Sequence, residues 1–281
     1  PRAGSLDRTQ PGSAGKPLTF PEYLAGKFHG DRIQHGQKRI AEQQAALGAA
    51  EAATGVPAAT IAAIWGIETS YGRVMGGFDL PSALATLAFE GRRRELFTRE
   101  LDAAVRMVGE GRVARDALKG SWAGAFGQSQ FLPTSYLAHG RDGDGDGKVD
   151  IREKLPDVFH SIGQYLAANG WQRGERWGFR AIVPTGLDRA AVAATEPPTR
   201  CVQPLSRHSR PLTAAEWRKL GVVAVNAPWP ADATPMTLIE PDGPGQGGFL
   251  VTASYRALLA YNCSNLYALS VGLLGDAIAV R

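Results

Sequence analysis

Cysteine is almost missing from this chain: Cys201 and Cys263 are the two among 281 residues. That scarcity excludes a disulfide scaffold, and their wide separation fits no CxxC metal or redox pair. One bridge between them, which requires an oxidising compartment, and two separately buried thiols remain alternatives. Long apolar runs are missing too. None reaches the roughly 20 residues needed to cross a bilayer, so no transmembrane segment is expected. Neither sign of charge dominates: a formal net charge of +4 and a pI near 9.2 suit acidic partners in general, anionic glycans included, without singling out nucleic acid, which is not expected as a partner. The histidines, His29, His35, His139, His160 and His208, show no HExxH or comparable spacing, which argues against a zinc site.

What is present is ordinary for a globular protein, with 44% hydrophobic and 21% charged residues and enough length for one large domain or two intimately joined ones. The opening stretch PRAGSLDRTQPGSAGKPLTF is rich in Pro, Gly and Ser and lacks an initiator Met and an apolar signal core. Residues 1–19 are therefore expected to be a flexible leader, processed or trimmed. Helical spacing follows up to Gly55 and predicts one or two helices; Pro57, at a first-turn position, opens another that Gly72 closes. Helical patterns return at PSALATLAFEGRRRELFTRELDAAVRMVGE and at DVFHSIGQYLAANGW, where Gly170 suits a C-terminal cap. Over residues 173–248 the texture changes to prolines and short β-prone pieces, GFRAIVP, TRCVQPL, GVVAVNAP and MTLIEP, with TAAEWRKLG as a short helix among them. The last stretch, from FLVTASY onward, reads as two helices broken near Asn262 to Asn265.

Glu68 stands where the pattern asks for an apolar residue. On a helix, Ile61, Ile64, Trp65 and position 68 share one face, so the carboxyl projects where its neighbours are buried. Desolvation near Trp65 is expected to raise its pKa, which suits a group that protonates a leaving group near neutral pH. The alternative is a helix-end Glu that bends to solvent or pairs with Arg73.

The segment RDGDGDGKVDIRE carries the most specific pattern. Counted from Asp142, carboxylates fall at positions 1, 3, 5, 9 and 12 as Asp142, Asp144, Asp146, Asp150 and Glu153, with Gly147 at position 6 and the Lys148 carbonyl at position 7. A hard cation wants several oxygens, and alternate residues point theirs inward. The reading is an EF-hand-type loop holding a structural Ca2+; the alternative is a solvated acidic turn.

GSWAGAFGQSQFLPTSY, residues 120–136, sets Ser121, Gln128, Gln130 and Tyr136 beside Trp122, Phe126 and Phe131. Uncharged hydrogen-bonding groups next to aromatic faces suit a carbohydrate, and the lysine of a P-loop is missing. A tight Gly-rich packing loop would read the same way. Arg92, Arg93 and Arg94 could meet a substrate carboxylate or form a solvated helix face, and Asn262 could orient a ligand or cap a helix.

Together IWGIETSYGRVMG, the downstream RRRELF, GSWAGAFGQSQFLPTSY with the DGDGDG loop directly after it, and FLVTASYRALLAYNCSNLYALSV resemble the B-type lytic murein transglycosylases, in the same order and from about Tyr23 to the C-terminus. The resemblance implies a mainly α (α+β) fold. A lysozyme-like α catalytic domain would span residues 20–172 plus 249–281, with a small β-containing subdomain at 173–248 and a structural calcium in the EF-hand-like loop. It implies peptidoglycan glycan strands as substrate, a periplasmic location with lipid anchoring left open, and a monomer. The β-1,4 bond between N-acetylmuramic acid and N-acetylglucosamine would be broken without water, leaving a 1,6-anhydromuramyl end. Glu68 matches the family's catalytic acid. Ser121, Gln130, Tyr261 and Asn262 look like groove residues, Arg93 and Arg94 like contacts to a substrate carboxylate, and Tyr23 like a further contact. Cys263 beside Asn262 departs from the plainest family pattern, and a bridge to Cys201 would tie the late subdomain to the α domain.

Most glycosidases use a carboxylate pair, whereas Glu68 alone sits in a suitable context here. It is expected to act first as acid and then as base, the muramyl 6-hydroxyl serving as nucleophile. Two other readings stand beside this one: a goose-type hydrolytic muramidase, and a non-catalytic calcium-dependent peptidoglycan-binding module.

Overall fold

The structure, a computed structural model, describes residues 18–28 and 31–279. Most of the expected leader and His29 therefore lie outside the described residues. The described chain groups into two compact units, residues 31–165 with 275–279 and residues 18–28 with 166–274. The fold is mixed: helices throughout, with a curled sheet in the second unit.

The first unit is helical and centres on Ala58–Thr69, whose Ile61, Ile64 and Trp65 are fully buried beside Leu47, Leu84, Met107 and Phe159. A helix apolar on every side belongs inside a core. Gly55, at φ 75°, stops the preceding helix Gln44–Thr54 as expected, and Pro57 stands one position earlier than expected, as the N-cap. The Glu51 carboxylate accepts from the Ala58 N–H at 2.9 Å and satisfies one orphan donor of that helix start. The helical pattern over 81–110 is broken by left-handed Gly91 into Leu80–Glu90 and Arg94–Gly109. A two-stranded ribbon, β1 (Phe78–Asp79) with β2 (Lys119–Gly120), completes the unit near the end of the core helix.

The stretch before Gly55 forms three helices where one or two were expected: Phe20–Lys27, Arg32–Glu42 and Gln44–Thr54. The first has its own capping box, Thr19 with Glu22, and Gln43 interrupts the later pair at φ −112°, ψ 21°.

In the second unit an antiparallel sheet runs in the order β4 (Leu212–Thr213), β6 (Pro235–Ile239), β7 (Gly248–Val251), β3 (Gly178–Ile182), β5 (Val223–Ala224). Trp217, on the helix Ala214–Lys219, is buried against this sheet with Leu212, Met236 and Leu250. Two expectations fail here. Phe249–Val251, read as helical, lies in the middle of the sheet, because a short apolar run with no polar face suits a strand covered on both sides. TRCVQPL, read as β-prone, forms the helical turn Val202–Leu205 instead. Cys201 and Cys263 form a disulfide, which settles the alternative left open by the sequence.

Candidate active site

Between Thr60 and Thr69 every residue is buried except Glu68, so this carboxylate marks where the core helix meets solvent. The helix ends at Thr69, not at Gly72. Ser70, Tyr71 and Gly72 follow at φ 52°, 61° and 85°, and two non-glycine residues in the left-handed region persist where the surroundings over-determine them. Tyr71 supplies that constraint. Its ring packs edge-on to Trp65 at 5.4 Å and its hydroxyl donates to the Arg32 carbonyl at 3.2 Å. A Cβ on Gly66 would stand 2.6 Å from the ring, so a glycine there makes room for it. Burial pushes the Tyr71 phenol up to about 12. Arg32, which sequence reasoning missed, donates to Gly66 O at 3.1 Å and to Ser70 Oγ at 3.2 Å, placing a cation at the helix C-terminus where the dipole favours it.

Ser121 and Gln130 are carried to the loop that follows Glu68. The β1–β2 ribbon sets Gly120 opposite Phe78, and Gly76 comes so close that a Cβ would lie 2.8 Å from the Ser121 amide nitrogen. Ser121 Oγ accepts from Ala125 N at 3.1 Å, which leaves its hydroxyl hydrogen to donate elsewhere. Gln130, at φ 50°, donates from Nε2 to Met75 O at 3.3 Å and to Gly127 O at 3.0 Å.

Four residues of that segment face inward and are lost as sugar contacts. Gln128 is buried, accepting from Trp65 Nε1 at 2.8 Å and donating to Arg152 O at 2.6 Å. Tyr136 donates to Val149 O at 2.8 Å, and Phe126 and Phe131 belong to the core. Trp122 stays partly exposed.

Arg93 and Arg94 are exposed at the start of Arg94–Gly109, with the Arg93 guanidinium 4.8 Å over the Phe97 ring. Tyr23, Tyr261 and Asn262 belong to the second unit. Tyr23 and Tyr261 are partly buried and Asn262 is exposed, capping Tyr255–Tyr261 in an extended conformation. A cavity of about 930 Å³ in that unit, lined by Arg256, His208 and the disulfide, contains none of the expected site residues.

The acidic loop folds around its own amides. Asp142 accepts from Gly145 N and Gly147 N, both at 2.7 Å, and Asp150 accepts from Arg152 N at 2.8 Å and Glu153 N at 3.0 Å. The Gly147 amide holds the Asp142 carboxyl below its ordinary range. Lys154 donates to Asp144 at 2.5 Å and to Asp146 at 3.1 Å. Asp157, fully buried and missed by sequence reasoning, accepts from Gly143 N at 2.7 Å and Asp150 N at 2.6 Å, and so staples both ends of the loop. Carboxylate oxygens of Asp142, Asp144 and Asp157 lie within 4.8 Å of one another.

The family model of the transglycosylase SLT domain matches residues 1–276. The membrane-bound lytic murein transglycosylase B of Escherichia coli K12 is 30% identical over 98% of this chain and 73% of its own length. SltB3 of Pseudomonas aeruginosa, in complex with NAG-NAM-pentapeptide, superposes with a TM-score of 0.87 at 38% identity, covering 99% of this chain and 70% of that one. The E. coli lytic transglycosylase Slt35 in complex with calcium superposes with a TM-score of 0.76 at 27% identity, covering 98% of this chain and 81% of that one.

Proposed function

From a chain that belongs to the transglycosylase SLT domain family, and is therefore a lytic transglycosylase that cleaves peptidoglycan, we infer that Glu68 carries the proton in both halves of the reaction. The observation that supports this is its isolation as the one solvent-reaching residue between Thr60 and Thr69 in a core helix. In the first half Glu68 gives its proton to the glycosidic oxygen as the bond to the muramyl C1 breaks, and the oxocarbenium-like sugar is supported by its own N-acetyl group or nearby amides. In the second half Glu68 takes the proton of the muramyl 6-hydroxyl as that oxygen bonds C1, closing the 1,6-anhydro ring. No water is consumed. The site must exclude it, since water at C1 would give a reducing end.

Ser121 and Gln130, which flank the loop after Glu68, are assigned to the glycan, together with Tyr23, Tyr261 and Asn262; Arg93 and Arg94 are assigned to a substrate carboxylate. The acidic loop is assigned a structural Ca2+. Its donor types suit that ion: Asp142, Asp144, Asp146, Asp150 and Glu153 offer carboxylates, Lys148 a carbonyl, and Gly147 turns at φ 86° as the sixth position requires; of the carboxylates Asp142 and Asp144 converge, with Asp157 as the third. Bound there, the ion would cross-link the loop and take no part in proton transfer. No single helix among the described residues is long and apolar enough to cross a membrane, and we assign a periplasmic location and a monomer.

The test is product analysis of digested sacculi. Mass spectrometry separates an anhydromuramyl end from a hydrolysed one by the mass of one water, and a binding module releases nothing. Glu68→Gln is expected to abolish release while keeping glycan binding; turnover near the wild-type rate would remove Glu68 from the mechanism.

A further inference from the structure

The turn that carries Tyr261 and Asn262 is tied twice to one short helical turn. The first tie is covalent. Cys263, directly after Asn262, is bonded to Cys201, the N-cap of Val202–Leu205, with Cα atoms 5.4 Å apart. The second is polar. Asn265, opening the helix Asn265–Ile278, donates from Nδ2 to the Pro204 carbonyl at 2.8 Å. The other end of the Asn265 amide meets His208 and Tyr255: Oδ1 lies 3.0 Å from His208 Nε2 and 3.2 Å from the Tyr255 hydroxyl.

These contacts define the state of the imidazole. Because Nδ2 faces a carbonyl that only accepts, Oδ1 faces the ring, and His208 Nε2 must carry the hydrogen. Nδ1 is then the acceptor for Thr237 Oγ1, 3.2 Å away on β6. Burial pushes the His208 imidazole down to about 4, so one neutral tautomer persists through neutral pH. The charged group bearing on it is Arg256; Tyr255, Asn265 and Thr237 face it as neutral groups. A buried polar network with its partners satisfied specifies a single geometry, and a half-satisfied one is worse than an apolar core. His208, Asn265 and Tyr255 have no part in proton transfer or in the acidic loop.

We propose that His208 is a positioning residue, acting through Asn265 to fix the Tyr261–Asn262 turn for glycan binding, with the Cys201–Cys263 bond as the second tie. This rests on the reading that Asn262 contacts the glycan. Asn262 is joined to its neighbours on both sides, its N–H donating to Leu258 O at 3.2 Å and its carbonyl accepting from Ser264 N at 2.7 Å. A shift at Cys263, the next residue, or at Asn265, three positions on, therefore reaches Asn262 along the chain.

The experiment measures the dissociation constant for soluble glycan strands by calorimetry in the Glu68→Gln background, where turnover does not intervene. His208→Ala is expected to weaken binding about tenfold, and His208→Gln, whose amide can donate to Asn265 Oδ1, to recover most of that loss. Asn262→Ala should weaken binding by a similar factor, and the double variant Asn262→Ala/His208→Ala no further, because coupled residues are not additive. Val222→Ala, which opens a void in the sheet core of the same unit, should lower Tm and leave affinity unchanged. A folded His208→Ala that binds within twofold of the parent, while Asn262→Ala does not, overturns the inference alone. Unchanged binding by Asn262→Ala overturns the contact reading and this inference with it. Should His208→Ala fail to fold, the Cys201→Ser/Cys263→Ser variant carries the test: weakened binding is expected, and unchanged affinity overturns the proposal.

Discussion

The Trp65 indole donates to Gln128 Oε1 at 2.8 Å across 63 positions of sequence, and both side chains are buried. This bond joins the Glu68 helix to the segment that bears Ser121 and Gln130. Gly72 belongs to the same junction, since a Cβ there would collide with Gln128 Oε1. Gln128, which its composition offers as a sugar ligand beside Ser121, Gln130 and Tyr136, ties the Glu68 helix to this segment instead.

Gln128→Leu should therefore act first on stability. It strips a buried indole N–H and the Arg152 carbonyl of their partner, and an unsatisfied buried group costs about 1–3 kcal/mol. A loss of about 3 kcal/mol in urea unfolding is expected, with reduced turnover under native conditions. An unchanged urea midpoint would show that the bond contributes nothing.

Gly76→Ala separates loop geometry from chemistry. Gly76 sits at φ 81° with the Gly120 carbonyl in the way of any Cβ, so alanine meets both left-handed strain and a backbone collision. Strain at such a position amounts to about 1–3 kcal/mol. Relief requires the 75–77 loop to leave Ser121, so turnover should drop at least tenfold even at temperatures where the variant is folded. Wild-type turnover would remove the Gly76–Ser121 contact from the site.

Several features of this site are legible in the amino-acid sequence. Periodicity singled out Glu68, and its stripe of Ile61, Ile64 and Trp65 is buried as the pattern requires. The reading of a one-sided helix understated the case, because from Thr60 to Thr69 the helix is buried on all sides and Glu68 alone breaks that burial. Other features depend on contacts distant in sequence. Nothing local marks Arg32 as the cap of a helix that ends at Thr69, 34 positions from the Gly66 carbonyl it meets, nor Asp157 as the staple of the acidic loop, 14 and 7 positions from the amides it holds. Gln128 and Tyr136 have the same composition whether they face a sugar or a carbonyl. Phe249–Val251 was misread because a short apolar run has no period to tell strand from helix.

His208 gives the protein an acid-sensitive element. Burial lowers its folded pKa to about 4 against an ordinary 6.5, so the unfolded chain binds a proton that the folded one refuses between those values. Stability should fall as pH drops from about 6.5 to about 4, by at most about 3 kcal/mol, and level off for this group below. Urea titrations across that range should show a flatter slope in His208→Gln, and an identical slope would mean that the imidazole does not govern it.

Reduction should act through the unfolded state. The Cys201–Cys263 bond closes a loop with a sequence separation of 62, for which chain entropy gives about 4 kcal/mol. Reductant, or the Cys201→Ser/Cys263→Ser pair, should lower the urea midpoint by a matching amount. The reduced second unit should also lose protection from proteolysis around 201–205 before its sheet does, because the tie ends in that helical turn. Equal cleavage of both regions would assign the bond to global stability alone.

The calcium proposed for the acidic loop would have to compete with Lys154. The ammonium rests on Asp144 and Asp146, two of the carboxylates a cation would need, so metal entry has to displace it. Removing the lysine should leave these carboxylates repelling one another and strengthen calcium binding several-fold, measured by calorimetry on Lys154→Ala. Stability should follow by mass action, about 2.7 kcal/mol when free calcium is a hundredfold above its dissociation constant. EGTA should therefore lower Tm in the wild type, and calcium should raise it further in Lys154→Ala. The same variant should be less stable than the wild type in EGTA at low ionic strength, where acid repulsion is least screened, and the order should invert once calcium is added. A Tm indifferent to EGTA in both proteins would return the loop to a solvated acidic turn that Lys154 neutralises by itself.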